Sequence, residues 1–365
     1  MIGWLRRRLG GAPAERTPAP APGPKVHVVL VDGTMSSLEP GRETSVGLIW
    51  RMLERDGRAC LHYEPGIAWR GWRHAREVAA GVGVNAQMRR AYAFLARAWA
   101  PGDRVYLIGY SRGAYVVRAL AGMVGRVGLL RAEHATDALV DAAYAQFRDD
   151  PTTPEARRWA AAHCHDAMPV EAVACFDTVR AVGVRAPVLW RLFPEVDVFR
   201  SHRLGAHVRR GLHALALQER RRAFAPDLWE TFGGDRRVEQ VWFRGAHADV
   251  GGHVGIRPAA RGLANVPLAW MLGRLAAAGL PLPDDWRARL PTDPDGPMVG
   301  TWRGWGPLFL WREARAVGRD PSERLHPAAK GAEPPEANLP LWIERPLAVP
   351  TADPRPRGWS GTPAP

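Results

Sequence analysis

The sequence contains few cysteines, almost no lysine and no long apolar run, and these shortages restrict the class of protein. Its three cysteines, Cys60, Cys164 and Cys175, are odd in number and show no close pairing pattern. A disulfide-stabilised secreted domain needs paired cysteines, so these residues are expected to be reduced and to pack in the core. No run of about 18 apolar residues occurs, so no transmembrane segment is predicted.

Lysine occurs only at Lys25 and Lys330, so nearly all of the positive charge of the chain comes from arginine. The net charge is +13 and the isoelectric point is about 10.7, values that would suit a nucleic-acid partner. The arginines are scattered and form no single basic stripe, so no nucleic-acid binding is predicted. A basic surface would still suit anionic lipid head groups, and peripheral contact with a membrane surface is therefore a hypothesis.

The N-terminal residues Met1–Leu9 lack the apolar core of a signal peptide. The sequence therefore predicts synthesis in the cytoplasm, and export that needs no signal peptide stays open. Hydrophobic residues make up 46% of the 365 residues. This content excludes a disordered chain, and the length suffices for a sizeable buried core.

Strand and helix signals alternate along the chain. Short apolar runs typical of buried strands lie near residues 26–31, 59–63, 104–109, 171–176 and 238–243. Helical patterns lie near residues 44–55, 85–99, 113–125 and 263–278, and a further helical run is expected around His213. Such alternation predicts an α/β fold with a mostly parallel, doubly wound sheet and helical insertions.

The most informative motif is a G-x-S-x-G sequence between an apolar strand and a helical pattern. Gly109, Ser111 and Gly113 supply its fixed positions, directly after the strand signal at 104–109. This context is typical of a nucleophile elbow, in which the serine occupies a strained corner and the glycines leave room for closely packed backbone. A plain turn between a strand and a helix is the alternative interpretation.

A serine nucleophile needs a base and an acid that orients the base. In α/β-hydrolases the acid follows the serine in the chain, and the histidine follows the acid. Asp177 comes directly after the apolar run that ends at Phe176, and His247 comes shortly after the run that ends at Phe243. Both side chains are therefore expected near the strand ends, and the pattern predicts a catalytic triad of Ser111, Asp177 and His247.

Other interpretations of these residues stay open. Asp177 could cap a helix or close a turn. His247 could join Asp249 and His253 in a metal site, but neither a His-Glu-x-x-His motif nor paired cysteines supports zinc. The cluster at 163–166 is interpreted as surface or packing residues, so no metal and no other cofactor is predicted.

The oxyanion of an acyl-transfer intermediate requires backbone N–H donors close to the nucleophile. The amide of Arg112, which opens the helix after the serine, is one candidate. The second donor is expected from the loop after the first buried strand, where Gly33 and Thr34 are candidates. Asp32 and Asp249 are candidates for supporting roles, Asp32 by holding this loop through hydrogen bonds.

Six motifs together resemble one known family, the α/β-hydrolase domain of the type VI secretion phospholipase effectors. They are Val31–Thr34, Tyr63–Ile67, Pro101–Tyr115, Phe176–Val179, His213–Arg221 and Trp242–Gly252. The resemblance extends over roughly residues 25–280, and ordered motifs are more specific than the serine motif alone. It implies a Ser-Asp-His triad on Ser111, Asp177 and His247 and an activity on phospholipid esters.

This chain departs from the family pattern at two places. Met35 and Ser36 stand where the family often has an aromatic residue and asparagine, and Phe176 stands where it often has tryptophan. Both departures leave the three triad positions unchanged and concern the acyl site.

The sequence predicts four regions. A flexible, basic, Pro/Ala-rich segment over 1–24 precedes a catalytic domain over 25–280, in which insertions at 128–168 and 185–235 could form a lid. The apolar stretch Ala186–Pro194 suits either covering an acyl chain or packing. A Trp/Pro-rich extension over 281–349 is expected to pack on the domain, and 350–365 is expected to be disordered. Within this extension, Thr301–Arg312 mixes indoles with arginines, which suits either a bilayer interface or a segment that wraps the domain.

The predicted function is that of a serine hydrolase that cleaves carboxylic esters of phospholipids through an acyl-enzyme. Two alternatives remain: an esterase for a non-lipid small ester, and a catalytically silent module that binds a membrane surface or a partner.

Overall fold

The computed structural model describes residues 13–18, 23–66 apart from 35 and 37, 82–179, and 202–329 apart from 233, 304 and 305. Several predictions concern residues outside these ranges: the start of the N-terminal segment up to residue 12, Met35, the apolar stretch 186–194, and the end of the chain from residue 330.

Eight strands in the described residues form one sheet. They are β1 Ala14–Arg16, β2 Val26–Val31, β3 Cys60–Glu64, β4 Arg104–Tyr110, β5 Ala172–Phe176, β6 Gly211–Ala216, β7 Val238–Phe243 and β8 Glu323–Leu325. Their spatial order is β1-β3-β2-β4-β5-β6-β7-β8. The β1–β3 pair is antiparallel and every other neighbouring pair is parallel. The predicted mostly parallel sheet is therefore confirmed, and with its helices it forms an α/β-hydrolase-like fold.

Seven α-helices accompany this sheet in the described part of the chain. They are α1 Ser45–Asp56, α2 Val82–Ala98, α3 Arg112–Val127, α4 Asp137–Arg148, α5 Pro154–His163, α6 His247–Val250 and α7 Arg261–Ala277. Alternate residues of β2 pack on opposite faces of the sheet. Val28 and Leu30 share a core cluster with α1 and α7, whereas Val29 and Val31 share one with α2 and α3. Because helices cover both faces, most residues of the buried strands are apolar.

Two local predictions are wrong. The residues around His213 form strand β6 and not a helix, because Gly211–Ala216 pairs with both β5 and β7 and is buried at every position. Its leucines and alanines favour a helix locally, but pairing within the sheet overrides that preference. In the segment over 1–24 that is predicted to be flexible, Ala14–Arg16 forms β1, which adds an edge strand beside β3.

The three cysteines are buried and free, as predicted. None of the described helices is both long and apolar enough to cross a membrane.

The described part of the C-terminal extension packs on the sheet domain. Its strand β8 pairs with β7, and Trp286 and Phe309 are buried. The Arg312 guanidinium lies 3.7 Å from the ring centroid of Trp302, which is 38% exposed. Phe309 packs against Phe224, so the described residues of this segment also contact the domain.

Candidate active site

Ser111 lies at the corner between β4 and α3 in a conformation that is rare for a residue with a side chain. Its φ is 57° and its ψ is −120°. The Ser111 N–H donates to the Phe176 carbonyl at 2.9 Å, which fixes the corner against β5. Strained backbone of this kind concentrates at functional sites, and this geometry is typical of a nucleophile elbow.

The two glycines of the motif are required by close backbone contacts. A Cβ atom on Gly109 would lie 2.4 Å from the Gly113 carbonyl oxygen, and one on Gly113 would lie 2.1 Å from the Val31 carbonyl oxygen. Both distances are far below van der Waals contact with backbone atoms that the sheet and helix hold in place. The glycines therefore allow α3 to begin directly against the end of β2.

Replacing Gly113 with alanine is expected to lower the free energy of unfolding by about 3 kcal/mol, because the new methyl group overlaps the β2 backbone. Urea unfolding measures this change. The matched control is Gly273→Ala within α7, where a Cβ meets no atom within 4 Å and where alanine is expected to stabilise the helix by up to about 1 kcal/mol. Equal effects of the two substitutions would contradict the close packing of the elbow.

The side chains of Ser111, His247 and Asp177 meet at the carboxyl edge of the sheet. They follow β4, β7 and β5, and the carboxyl ends of parallel strands share one edge. The Ser111 Oγ lies 2.8 Å from His247 Nε2, and His247 Nδ1 lies 2.6 Å from Asp177 Oδ2. All three residues are buried, and Asp177 is completely so.

The protonation states that this environment favours suit a proton relay. Burial lowers the pKa of His247 further than the neighbouring Asp177 raises it, so the imidazole is neutral at pH 7. Burial raises the pKa of Asp177, but Arg315 and His247 outweigh this and hold it well below its usual range. The neutral imidazole therefore donates from Nδ1 to Asp177, which leaves Nε2 to accept the hydroxyl proton of Ser111.

Arg315 is a site residue that the sequence analysis missed. Its Nη1 and Nη2 lie 2.5 and 2.9 Å from the two carboxylate oxygens of Asp177. The Ala216 N–H also donates to Asp177 Oδ1 at 2.9 Å. Arg315 comes from an irregular stretch of the Trp/Pro-rich extension, where no spacing or motif in a single sequence marks it.

A second buried ion pair supports the histidine loop. The Glu219 carboxylate lies 2.6 Å from Arg221 Nη2 and accepts the His247 backbone N–H at 3.2 Å. Tyr110 and Phe224 enclose the imidazole, with ring centroids 4.9 and 5.0 Å from that of His247. The base therefore lies in a pocket of aromatic rings that restricts its contact with water.

The loop after β2 adjoins the elbow, where the oxyanion donors were predicted. The Arg112 Nε donates to the Thr34 hydroxyl, which joins the start of α3 to this loop. The Gly33 N–H is already engaged, since it donates to Asp32 Oδ1 at 2.7 Å. Of the three predicted donors, the amides of Arg112 and Thr34 therefore remain the candidates.

The carboxylate of Asp32 holds the same loop in place through hydrogen bonds. It accepts hydrogen bonds from the hydroxyls of Thr44 and Tyr63 at 2.8 Å in addition to the Gly33 N–H. Burial raises the pKa of Asp32 to about 6 against these hydrogen bonds. None of these hydrogen bonds joins the Asp32 carboxylate to Ser111, His247 or Asp177.

Asp249 has a comparable place beside the histidine loop. Its carboxylate accepts the Ala246 N–H at 2.8 Å and the Val299 and Gly300 N–H groups at 2.6 and 3.2 Å. It therefore ties the loop of His247 to the C-terminal extension. Within the described residues, no group of three or more His, Cys, Asp and Glu side chains is arranged to hold a metal ion.

The chain matches the model of a known protein family. The family model described as "T6SS, Phospholipase effector Tle1-like, catalytic domain" matches residues 25–274. An uncharacterized protein of Saccharomyces cerevisiae is 28% identical over 225 residues, which cover 54% of this chain and 31% of that protein. The chain thus spans about a third of the length of this relative.

Two solved structures are also similar. A crystal structure of an uncharacterized protein from Pseudomonas aeruginosa has 16% identity and a TM-score of 0.43, covering 74% of this chain and 49% of the other. A Tle1 effector bound to the VgrG spike of the Type 6 secretion system has 16% identity and a TM-score of 0.35, covering 64% and 52%.

The family match covers well over half of the chain and includes Ser111, Asp177 and His247. The chain therefore belongs to the family of type VI secretion phospholipase effectors with a Tle1-like catalytic domain, a family of lipase- and esterase-type hydrolases.

Proposed function

We propose that this chain is a serine hydrolase that cleaves carboxylic ester bonds of phospholipids through an acyl-enzyme intermediate. The observation that carries the proposal is the continuous chain of contacts from Ser111 Oγ to His247 Nε2 and from His247 Nδ1 to Asp177 Oδ2, at 2.8 and 2.6 Å. A strained serine at a strand-to-helix corner, joined to a neutral buried imidazole, suits acyl transfer.

In the proposed acylation step, the Ser111 oxygen attacks the ester carbonyl carbon while His247 Nε2 takes the hydroxyl proton. Asp177 keeps the other imidazole proton on Nδ1 and stabilises the imidazolium that forms. His247 then gives its proton to the departing alcohol oxygen, which leaves the acyl group on the serine. Water activated by the same imidazole releases the fatty acid and restores the hydroxyl.

The negative charge of the tetrahedral intermediate requires donors on the far side of the carbonyl. The amides of Arg112 and Thr34 are the proposed donors, since the hydrogen bond from Arg112 Nε to Thr34 holds the two residues together. Gly33 and Asp32 shape the loop that presents Thr34. Such preorganised donors stabilise the oxyanion without reorganisation during the reaction.

Phospholipid is the proposed substrate class because the family consists of phospholipase effectors. The net charge of +13 favours an anionic lipid surface. Leu308 and Trp302, 47% and 38% exposed, lie on the segment that carries Phe309, and Phe309 packs against Phe224 beside His247. We propose that this segment also contacts the membrane surface when the enzyme acts.

The same family relationship supports two further proposals. Residues 25–280 form the catalytic domain, and the extension from 281 completes it through contacts such as Arg315 with Asp177. Export as a secretion-system effector fits the family description and is the second proposal.

The test combines an active-site probe with two substrates. Wild type and Ser111→Ala are incubated with a fluorophosphonate, and each is assayed on phosphatidylglycerol vesicles and on p-nitrophenyl butyrate. We expect labelling of wild type alone, with fatty acid released from the vesicles at a kcat/KM above that for the soluble ester.

Each other outcome favours a different function. If wild type is labelled but hydrolyses only the soluble ester, the proposed substrate changes from a phospholipid to a small non-lipid ester. No labelling and no hydrolysis of either substrate would favour the catalytically silent binding module.

A further inference from the structure

The Arg315 guanidinium pairs with the Asp177 carboxylate, whose Oδ2 also contacts the imidazole of His247. Both terminal nitrogens of Arg315 contact the carboxylate, at 2.5 and 2.9 Å. They also donate to the carbonyls of Ala216 and Phe224 at 2.8 and 2.6 Å. The Arg315 side chain is only 4% exposed and that of Asp177 is fully buried.

This arrangement fixes the orientation of the acid. Two parallel N–H donors define the plane of a carboxylate more strictly than one donor does. With both Asp177 oxygens held by Arg315, and Oδ1 also held by the Ala216 N–H, Oδ2 is directed at His247 Nδ1. Asp177 itself has a φ of 45°, so its backbone is strained and depends on such contacts.

Arg315 lies 41 residues beyond the end of the family match at residue 274. The extension that carries it is anchored on both sides of the site. Val299 donates to Asp249, and the Arg222 N–H donates to the Trp311 carbonyl at 3.0 Å. The extension therefore holds a cation against a triad residue at a fixed position.

We propose that Arg315 is a positioning residue for the reaction: it clamps the Asp177 carboxylate toward His247 and lowers the proton affinity of the Asp177–His247 pair. The inference rests on the proposed function of this triad. It gives the C-terminal extension a role in the chemistry, although the extension lies outside the catalytic domain that the family model matches.

The electrostatic part of the proposal depends on every charge near the imidazole. In the described part of the chain, Glu219, Arg221, Tyr110, Asp177 and His253 are charged or titratable groups near His247. Glu219 and Arg221 form a pair and offset each other. Arg315 is the cation in direct contact with the Asp177 carboxylate, and its removal strengthens proton binding by the pair, whichever residue holds the proton.

The test compares Arg315→Met and Arg315→Lys with wild type in kcat, KM and their pH dependence on the substrate that wild type cleaves. Arg315→Met is expected to lower kcat about 10²-fold, as small misplacements of catalytic groups do, with little change in KM. The acid limb of kcat/KM is expected to move up by about one pH unit, the lower range for loss of an adjacent charge. Arg315→Lys keeps the positive charge but loses the two parallel N–H donors of the guanidinium. Its kcat is therefore expected to fall, while the acid limb of its kcat/KM profile stays at the wild-type pH.

Arg312→Met is the matched control. Arg312 is also a buried arginine of the extension, but its hydrogen bonds go to Thr301, Gly306 and Phe309 and to no triad residue. Loss of packing alone would affect both methionine variants without moving the acid limb. An NMR titration of the His247 imidazole gives the same pKa comparison without turnover, so a poorly active variant remains informative.

The outcomes separate this inference from the proposed function. An active wild type whose acid limb and His247 titration are unchanged in Arg315→Met would overturn the role of Arg315 alone, as would an equal shift in Arg312→Met. A wild type that neither reacts with a fluorophosphonate nor hydrolyses an ester would overturn the proposed function, and this inference with it.

Discussion

Replacing Ser111 with alanine is expected to lower kcat by about 10⁶, and replacing His247 with alanine is expected to cost about as much. The reason is that the hydroxyl and the imidazole act as one unit: the base has no proton to take without the serine, and the serine is a weak nucleophile without the base. The double variant is therefore expected to be no less active than either single variant. Single-turnover assays on the preferred ester measure these rates.

Ser45→Ala provides the matched control for the serine. Ser45 is buried at the start of α1, and its hydroxyl makes no hydrogen bond within the described residues. The kcat of Ser45→Ala is expected to equal that of wild type. Retention of more than about one hundredth of kcat by Ser111→Ala would contradict the nucleophile assignment, since a missing nucleophile leaves only the contribution of binding and the oxyanion donors.

The parts of this fold that the sequence predicts well are those in which local pattern and tertiary structure agree. Val26–Val31 and Val238–Phe243 have the predicted bounds of buried strands. The helix begins at Arg112, directly after the serine of the motif. In each case an apolar run or a helical repeat meets the packing surface that the sheet provides.

The failures occur where long-range pairing decides the structure. Gly211–Ala216 becomes a strand because β5 and β7 lie on either side of it, and nothing in its own residues favours that state. Ala14–Arg16 becomes an edge strand because β3 is available for pairing. Both pairings join residues far apart in the chain, which a local pattern does not report.

The candidate site likewise contains residues that the local sequence pattern predicts and one residue that only a long-range contact places there. Ser111, Asp177 and His247 follow strand signals, so their meeting can be predicted from where parallel strands end. Arg315 reaches Asp177 from 138 residues along the chain, through a segment with no regular secondary structure around it. The partner of a buried acid is fixed by the folded extension, and only the structure reveals it.

Because Asp177 pairs with Arg315, its replacement is expected to reduce stability as well as catalysis. Asp177→Asn is expected to lower kcat by about 10⁴, because an asparagine amide favours the wrong imidazole tautomer. It is also expected to destabilise the fold by about 3–5 kcal/mol, because Arg315 remains buried without its carboxylate.

A second substitution separates these two effects. Combining Asp177→Asn with Arg315→Met removes the unpaired charge, so most of the lost free energy of unfolding is expected to return. The kcat of the double variant is expected to remain as low as that of Asp177→Asn, since the tautomer is still wrong. Urea unfolding and turnover are measured on the same preparations. Stability equal to wild type in Asp177→Asn alone would show that Arg315 does not depend on this carboxylate, and recovery of kcat in the double variant would contradict the role of Asp177 as the orienting acid.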